Sequence, residues 1–203
     1  MSYLLALRAI VYHDRRRILW LGVFGAVFAL AVTLLLPLRY RATMRVLIIQ
    51  STSPTLDAFT AVKSAEKIGK NFGQIIASSS FLDRALQANT KIQASYFPTV
   101  ERKRRRVWEE MVHASVASET SVMAIAVYHP IPAQAAAIAE TVGAVLARDA
   151  REYTGSPDVA VKVIDSPIIS RFPVRPNIPL QMVLGALLAA GAGTLALAAR
   201  RRS

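Results

Sequence analysis

The chain has 203 residues, 53% of them hydrophobic, and a mean hydropathy of +0.35. That apolar content excludes an intrinsically disordered chain, and the absence of cysteine excludes disulfide frameworks, thiol nucleophiles and cysteine-ligated zinc. The formal net charge is +12, from 25 basic and 13 acidic side chains; where those charges fall along the chain decides what they mean.

Residues 1–17 form a basic tail carrying Arg8, Arg15, Arg16 and Arg17 against Asp14. Residues 18–38 follow as 21 residues without one charge. At about 1.5 Å of helical rise per residue, they cover a bilayer core of roughly 30 Å. The run is too long for a signal peptide, and Pro37-Leu38-Arg39-Tyr40-Arg41 stands where a small-residue cleavage site belongs, so an uncleaved anchor is expected. Residues 178–199 are a second uncharged run of 22 residues, and 200–203 end the chain with Arg200, Arg201, Arg202 and Ser203. Short basic tails stay in the cytoplasm. The expectation is two transmembrane helices, both termini cytoplasmic, and residues 39–177 on the far side of the membrane.

Those 139 residues change periodicity several times. Residues 43–50 are rich in β-branched side chains and predict a strand. Residues 57–77 space Phe59, Val62, Phe72, Ile75 and Ile76 as a helix does, and Ser78-Ser79-Ser80 then offers an N-cap for a helix through Phe81, Leu82 and Leu86. A charged helix is expected over 99–113 and a strand over 121–128, with Met123, Ile125 and Val127 on one face. Pro130 and Pro132 open a helix to about residue 153 whose Ile138, Val142, Val145 and Leu146 share a face. Gly155-Ser156-Pro157 turns the chain into a strand over 159–165, where Val159, Val161 and Val163 alternate. Strand, helices, strand, helix, strand predicts an α/β domain, helices packed on a small sheet, between the two spans.

Residues 165–179 contain Pro167, Pro173, Pro176 and Pro179. Each fixes φ and holds the preceding residue extended, so a stiff polyproline-like strut is expected outside the strands and helices, with Pro179 in the first turn of the second span. In that span Gly185, Gly191 and Gly193, among many alanines, offer a smooth face for close helix packing. A plain proline-punctuated linker and the ordinary small residues of a membrane helix are the equal alternative.

No catalytic, cofactor or metal site is expected. His13 lies in the tail, while His113 and His129 are separated by strand-like sequence and lack metal-ligand spacing. Lys67-Ile68-Gly69-Lys70 lacks the earlier glycine of a phosphate-binding loop. The basic run Arg102, Lys103, Arg104, Arg105 and Arg106 encircles its helix instead of forming one groove. Beyond the membrane it is solvated, paired with Glu101, Glu109 and Glu110 of neighbouring protomers, or in contact with an acidic glycan or lipid headgroup; nucleic acid is not an expected partner.

Taken together, the chain resembles the polysaccharide chain-length determinant (Wzz-like) family, the polysaccharide co-polymerases of bacterial envelopes. A basic tail and first span lead into Tyr40-Arg-Ala-Thr-Met-Arg-Val-Leu-Ile48, similar to that family's P-x-Y-x-A entry and strand. A strand, His129-Pro130 and the Ala-rich helix 133–147 are similar to its V-x-x-x-D-P-x-x-A-A-x-I-A-N stretch. Here His129 replaces the usual Asp and Glu140 stands near the usual Asn. Val161-Lys-Val-Ile-Asp-Ser-Pro167 runs into Pro173-x-x-Pro176 before the last span, and glycines recur in that span. The resemblance implies a non-catalytic scaffold of the bacterial cytoplasmic (inner) membrane, a homo-oligomer without cofactors. It implies regulation of the chain length of a capsule, exopolysaccharide or O-antigen made by a separate membrane polymerase. The nascent lipid-linked polysaccharide and a separate cytoplasmic tyrosine kinase are further implied partners. The short outer domain leaves no room for a long helical extension, and the absence of a Walker A sequence implies a compact, kinase-less form. The alternatives are an accessory subunit of a polysaccharide export complex and, third, a membrane enzyme acting on lipid-linked sugars.

Overall fold

Alternation of side chains sets the central strand. In β1 (Tyr40–Gln50), Ala42, Met44, Val46 and Ile48 are buried, while Arg41, Thr43, Arg45, Leu47 and Ile49 turn to the other face. β3 (Val122–His129) pairs antiparallel with β1 and buries Met123, Ile125 and Val127, the face expected from the sequence. β2 (Val112–Val116) pairs antiparallel with β3, and β4 (Val159–Ile169) antiparallel with β1, giving the order β2-β3-β1-β4. The computed structural model describes residues 15–50 and 58–200, in two compact units. One is Arg39–Val174; the other joins the chain up to Leu38 with the chain from Arg175 onward.

In the first unit the helices cover one face of the sheet. α2 (Ala58–Ile76) lies on β1 and β2, and α5 (Pro132–Thr154) on β4, β1 and β3. Because β1 lies between β3 and β4, the β3–α5–β4 connection is a split β–α–β unit, whose helix must cross the sheet to rejoin it. α5 buries Ile138, Val142, Val145 and Leu146 as its spacing predicts, begins with Pro132 in its first turn, and stops at Gly155 (φ 64°), whose left-handed backbone suits a residue without Cβ. α3 (Ser79–Ala88) is capped by Ser78, whose hydroxyl accepts from the Phe81 N–H at 3.2 Å. α4 (Glu101–Met111) packs against α3 and the β2–β3 edge. At its centre Trp108 is fully buried beside Phe97, its indole N–H donating to the Ile76 carbonyl at 2.6 Å.

Four sequence expectations need correction. The charged helix ends at Met111, two residues before the expected 113, and β2 follows without an intervening turn, so the sheet has four strands instead of three. Pro167 lies inside β4 and not in a strut. β4 is an outer strand, and its register against β1 shifts between Thr43 and Arg45 and again between Arg45 and Val46. Each shift places one extra residue in β4, so Pro167 falls in a bulge where its missing N–H costs no ladder bond. Val163 keeps the register of Val159 and Val161 and pairs with the buried Val46, yet on this outer strand it is 41% exposed. Phe59, read as part of the buried face of its helix, is 66% exposed.

The second unit holds two helices long and apolar enough to cross a membrane, α1 (Arg15–Leu34) and α6 (Ile178–Arg200). α1 stops at Leu34 and not at 38, with Leu35 and Leu36 closing tighter turns onto Val32 and Thr33 ahead of Pro37. α6 begins after Asn177, whose side-chain oxygen accepts from the Leu180 N–H at 3.3 Å, with Pro179 in the first turn.

Candidate functional site

The two apolar helices meet antiparallel along a stripe of small residues. A Cβ built on Gly185 would lie 2.5 Å from the Ala29 Cβ and 2.7 Å from the Gly25 carbonyl oxygen, and one on Gly193 would collide with Leu21. Gly185, Ala189 and Gly193 are four residues apart and so lie on one helix face; Gly191 is two residues off that series and meets nothing within 4 Å. Of the three glycines read as a packing face, Gly185 and Gly193 are in the contact and Gly191 is not. The sequence reading missed their counterparts on α1, Gly25 and Gly22. Nearby, the buried Thr33 hydroxyl donates to the Ala29 carbonyl at 2.6 Å and hydrogen-bonds the Gln181 side-chain amide. Polar groups satisfied across a helix pair in this way hold its register.

The basic run lies on α4, and its members differ. Arg104 is half-buried and pairs with Asp83 of α3 at 3.0 Å. Arg105 and Arg106 pair with Glu109 and Glu110 one turn on, at 2.7 and 3.0 Å, so these acids are engaged within the chain itself. Arg102 and Lys103 are exposed and have no acidic partner among the described residues. Cations crowd the first turns of α4 and anions the last, the reverse of what the helix dipole favours. Glu101 in the first turn and the two ion pairs one turn apart offset that order.

Other buried charges are structural. Glu66, 7% exposed on α2, is bonded by Lys70 at 2.7 Å and accepts the Glu119 N–H at 3.1 Å, which fixes the β2–β3 turn where Glu119 has φ 60°. The Lys70 bond, aided by the Glu119 N–H, holds its carboxyl below the usual range. Asp149 is bonded by Arg148 and Arg84 and is likewise lowered, first by Arg148.

His113 and His129 lie on opposite faces of the sheet. His113 is exposed on β2. His129 is 2% exposed, packs 4.5 Å from the Tyr96 ring, and accepts the Ile131 N–H on Nδ1 at 3.0 Å, at the entrance to α5. Burial pushes its pKa below 6.5. The unfolded chain therefore takes up the proton first, and stability should fall as the pH drops below about 6.5, toward the lowered folded value. Glu66 and Asp149 act in a separate, lower window, their stabilisation being lost as they protonate. Thermal midpoints of residues 39–174 measured from pH 7.5 to 5 should decline, and His129→Asn, which keeps an acceptor for Ile131 without the titration, should flatten that decline. An unchanged slope in the variant would show that His129 does not set it.

A second feature of the sheet was also missed. Arg41, Thr43 and Arg45 share the open face of β1 and, with Asp165, Ile168, Ile169 and Ser170 of the bulged β4 margin, line a cleft of about 280 Å³. The signal was present as Arg-x-Thr-x-Arg, three polar side chains at strand period. Among the described residues no group of three or more metal-ligating side chains comes together. Pro173 lies just beyond β4, and Pro176 follows a cis peptide bond with Arg175. Comparison with protein-family models and with curated proteins finds no significant match for this chain.

Proposed function

We propose that this chain is a non-catalytic two-span scaffold of the bacterial inner membrane that sets the chain length of a surface polysaccharide made by a separate polymerase. Both termini lie in the cytoplasm and several copies assemble. The observation that carries this reading is the pairing of β1 with β4. The strand that follows the first apolar run and the strand that precedes the second are hydrogen-bonded neighbours from Ala42↔Ile169 to Gln50↔Val159. The Ser170 N–H donating to Arg41 and the Val174 N–H donating to Arg39 extend that seam. A ligand or neighbour that shifts the sheet therefore displaces both strands together, and a difference in contacts between two packings becomes a bias on polymerase engagement. Pro173 and Pro176 stiffen the chain after that seam.

The test is a gel ladder of surface polysaccharide from a deletion strain. Altered chain length with product still made supports the proposal; complete loss of surface product supports an accessory export subunit instead; an unchanged ladder and yield overturns both. Pro173→Ala/Pro176→Ala, expressed at normal membrane level, should shift the modal length, because each removed ring frees φ. A wild-type ladder from that variant would remove the prolines from the mechanism. Reporter fusions at each terminus that are active only outside the cytoplasm would refute the topology.

A further inference from the structure

The cleft at the bulged margin of β4 has a donor set that no structural role absorbs. Arg41 is exposed and has no acidic partner among the described residues. Arg45, 64% exposed at its side chain, pairs with Asp165 only at 3.9 Å. The Ser170 oxygen accepts the Arg41 backbone N–H at 3.0 Å, which leaves its own hydroxyl proton to donate into the cleft. Thr43 adds a second hydroxyl from the strand position between the two arginines. Two guanidinium forks and two hydroxyls approaching from two strands suit a tetrahedral group with several acceptor oxygens better than a planar carboxylate. The bulge builds this arrangement, because the extra residues of β4 open the space opposite Met44.

Chain length and apolar exposure say which anion. Arg41 is seven residues from Leu34, the last residue of α1, so no more than about 25 Å of chain separates it from the apolar run. Ser170 is eight residues before Ile178, at most about 29 Å of chain. Ile168 is 70% and Ile169 42% exposed beside the arginines, and Phe172 is 70% exposed just beyond them. Apolar side chains interleaved with arginine, on a short tether to a membrane span, match a surface that meets lipid headgroups. We infer that this cleft binds the phosphate of a membrane lipid, and this holds whether or not the polysaccharide reading does.

The experiment is native mass spectrometry of the detergent-solubilised full chain titrated with phosphatidylglycerol, with a polyprenyl pyrophosphate, or with phosphate-free diacylglycerol. The phosphate lipids should bind and diacylglycerol should not. Arg41→Ala/Arg45→Ala should weaken binding at least about tenfold, the size expected for lost charge-assisted hydrogen bonds. Arg102→Ala/Lys103→Ala removes the same charge elsewhere and should change it less than about twofold. Asp165→Asn removes the competing carboxylate and should tighten binding several-fold; it also keeps the test sound if the double arginine variant does not fold, since weakening there would overturn the site. Preference for phosphatidylglycerol assigns the ligand to the bulk bilayer, and preference for the pyrophosphate assigns it to a lipid-linked carrier. Equal losses in both double variants, undiminished binding without Arg41 and Arg45, or diacylglycerol binding as well as the others would each overturn the proposal.

Discussion

Gly185→Leu is expected to separate α1 from α6. The new side chain would enter space already held by the Ala29 methyl and the Gly25 carbonyl, 2.5 and 2.7 Å from where its Cβ must lie. Because one of these is backbone, no rotamer change relieves the clash; the helices must move apart. Overpacking of this kind costs roughly 1–3 kcal/mol, and here it also breaks up the surface by which two helices associate in lipid. The readout can be direct. A Cβ built on Gly22 lies 3.8 Å from the Ala190 Cβ, within the range a disulfide spans, and the chain has no other cysteine to compete. Gly22→Cys/Ala190→Cys should oxidise readily in membranes. Adding Gly185→Leu should slow that crosslink several-fold, whereas adding Gly191→Leu, at a position open to 4 Å, should leave it unchanged. Equal crosslinking in all three would mean that the pair does not pack through Gly185.

Trp108→Ala should be the most damaging change in the Arg39–Val174 unit, by about 3–5 kcal/mol. Two losses combine. The indole leaves a cavity beside Phe97, and the Ile76 carbonyl at the end of α2 loses the hydrogen bond that the indole donates. A helix's last carbonyls have no partner within the helix, so Trp108 is the cap that lets this end be buried. Trp108→Phe restores most of the volume but not the donor, and should cost about 1–2 kcal/mol. Urea unfolding of residues 39–174 followed by circular dichroism separates the two. A midpoint shift worth under 1 kcal/mol for Trp108→Ala would show that α4 is not anchored by this residue.

What the sequence revealed followed from period and chain punctuation. Met123, Ile125 and Val127 alternate cleanly, Ile138 to Leu146 keep helical spacing, and Ser78 and Gly155 mark ends by their own chemistry. Three features were hidden for physical reasons. β2 has five residues and starts directly after Met111, so no turn residue separates its pattern from the helix. Pro167 looked incompatible with a strand because proline lacks an N–H, but an outer strand needs that group on one side only. The glycine contact depends on which residues of α1 face α6, and a uniformly apolar helix carries no periodic signal to say so. The Arg41–Thr43–Arg45 cleft was half legible: the face could be read, but its floor comes from β4, about 125 residues further along the chain.

The margins of the sheet limit how copies of this domain can meet. Unpaired strand edges invite another chain to continue the ladder, and stacking by that route has no natural end. Here one edge is β4, where Pro167 withholds a donor, two bulges break the repeat, and Lys162 adds a charge. The other is β2, only five residues long. Neither offers a straight run of backbone groups to a second strand. Were copies of this domain to meet, these edges would keep them from fusing into one continuous sheet, and their association would have to be made through side chains, whose complementarity can close a ring and then stop.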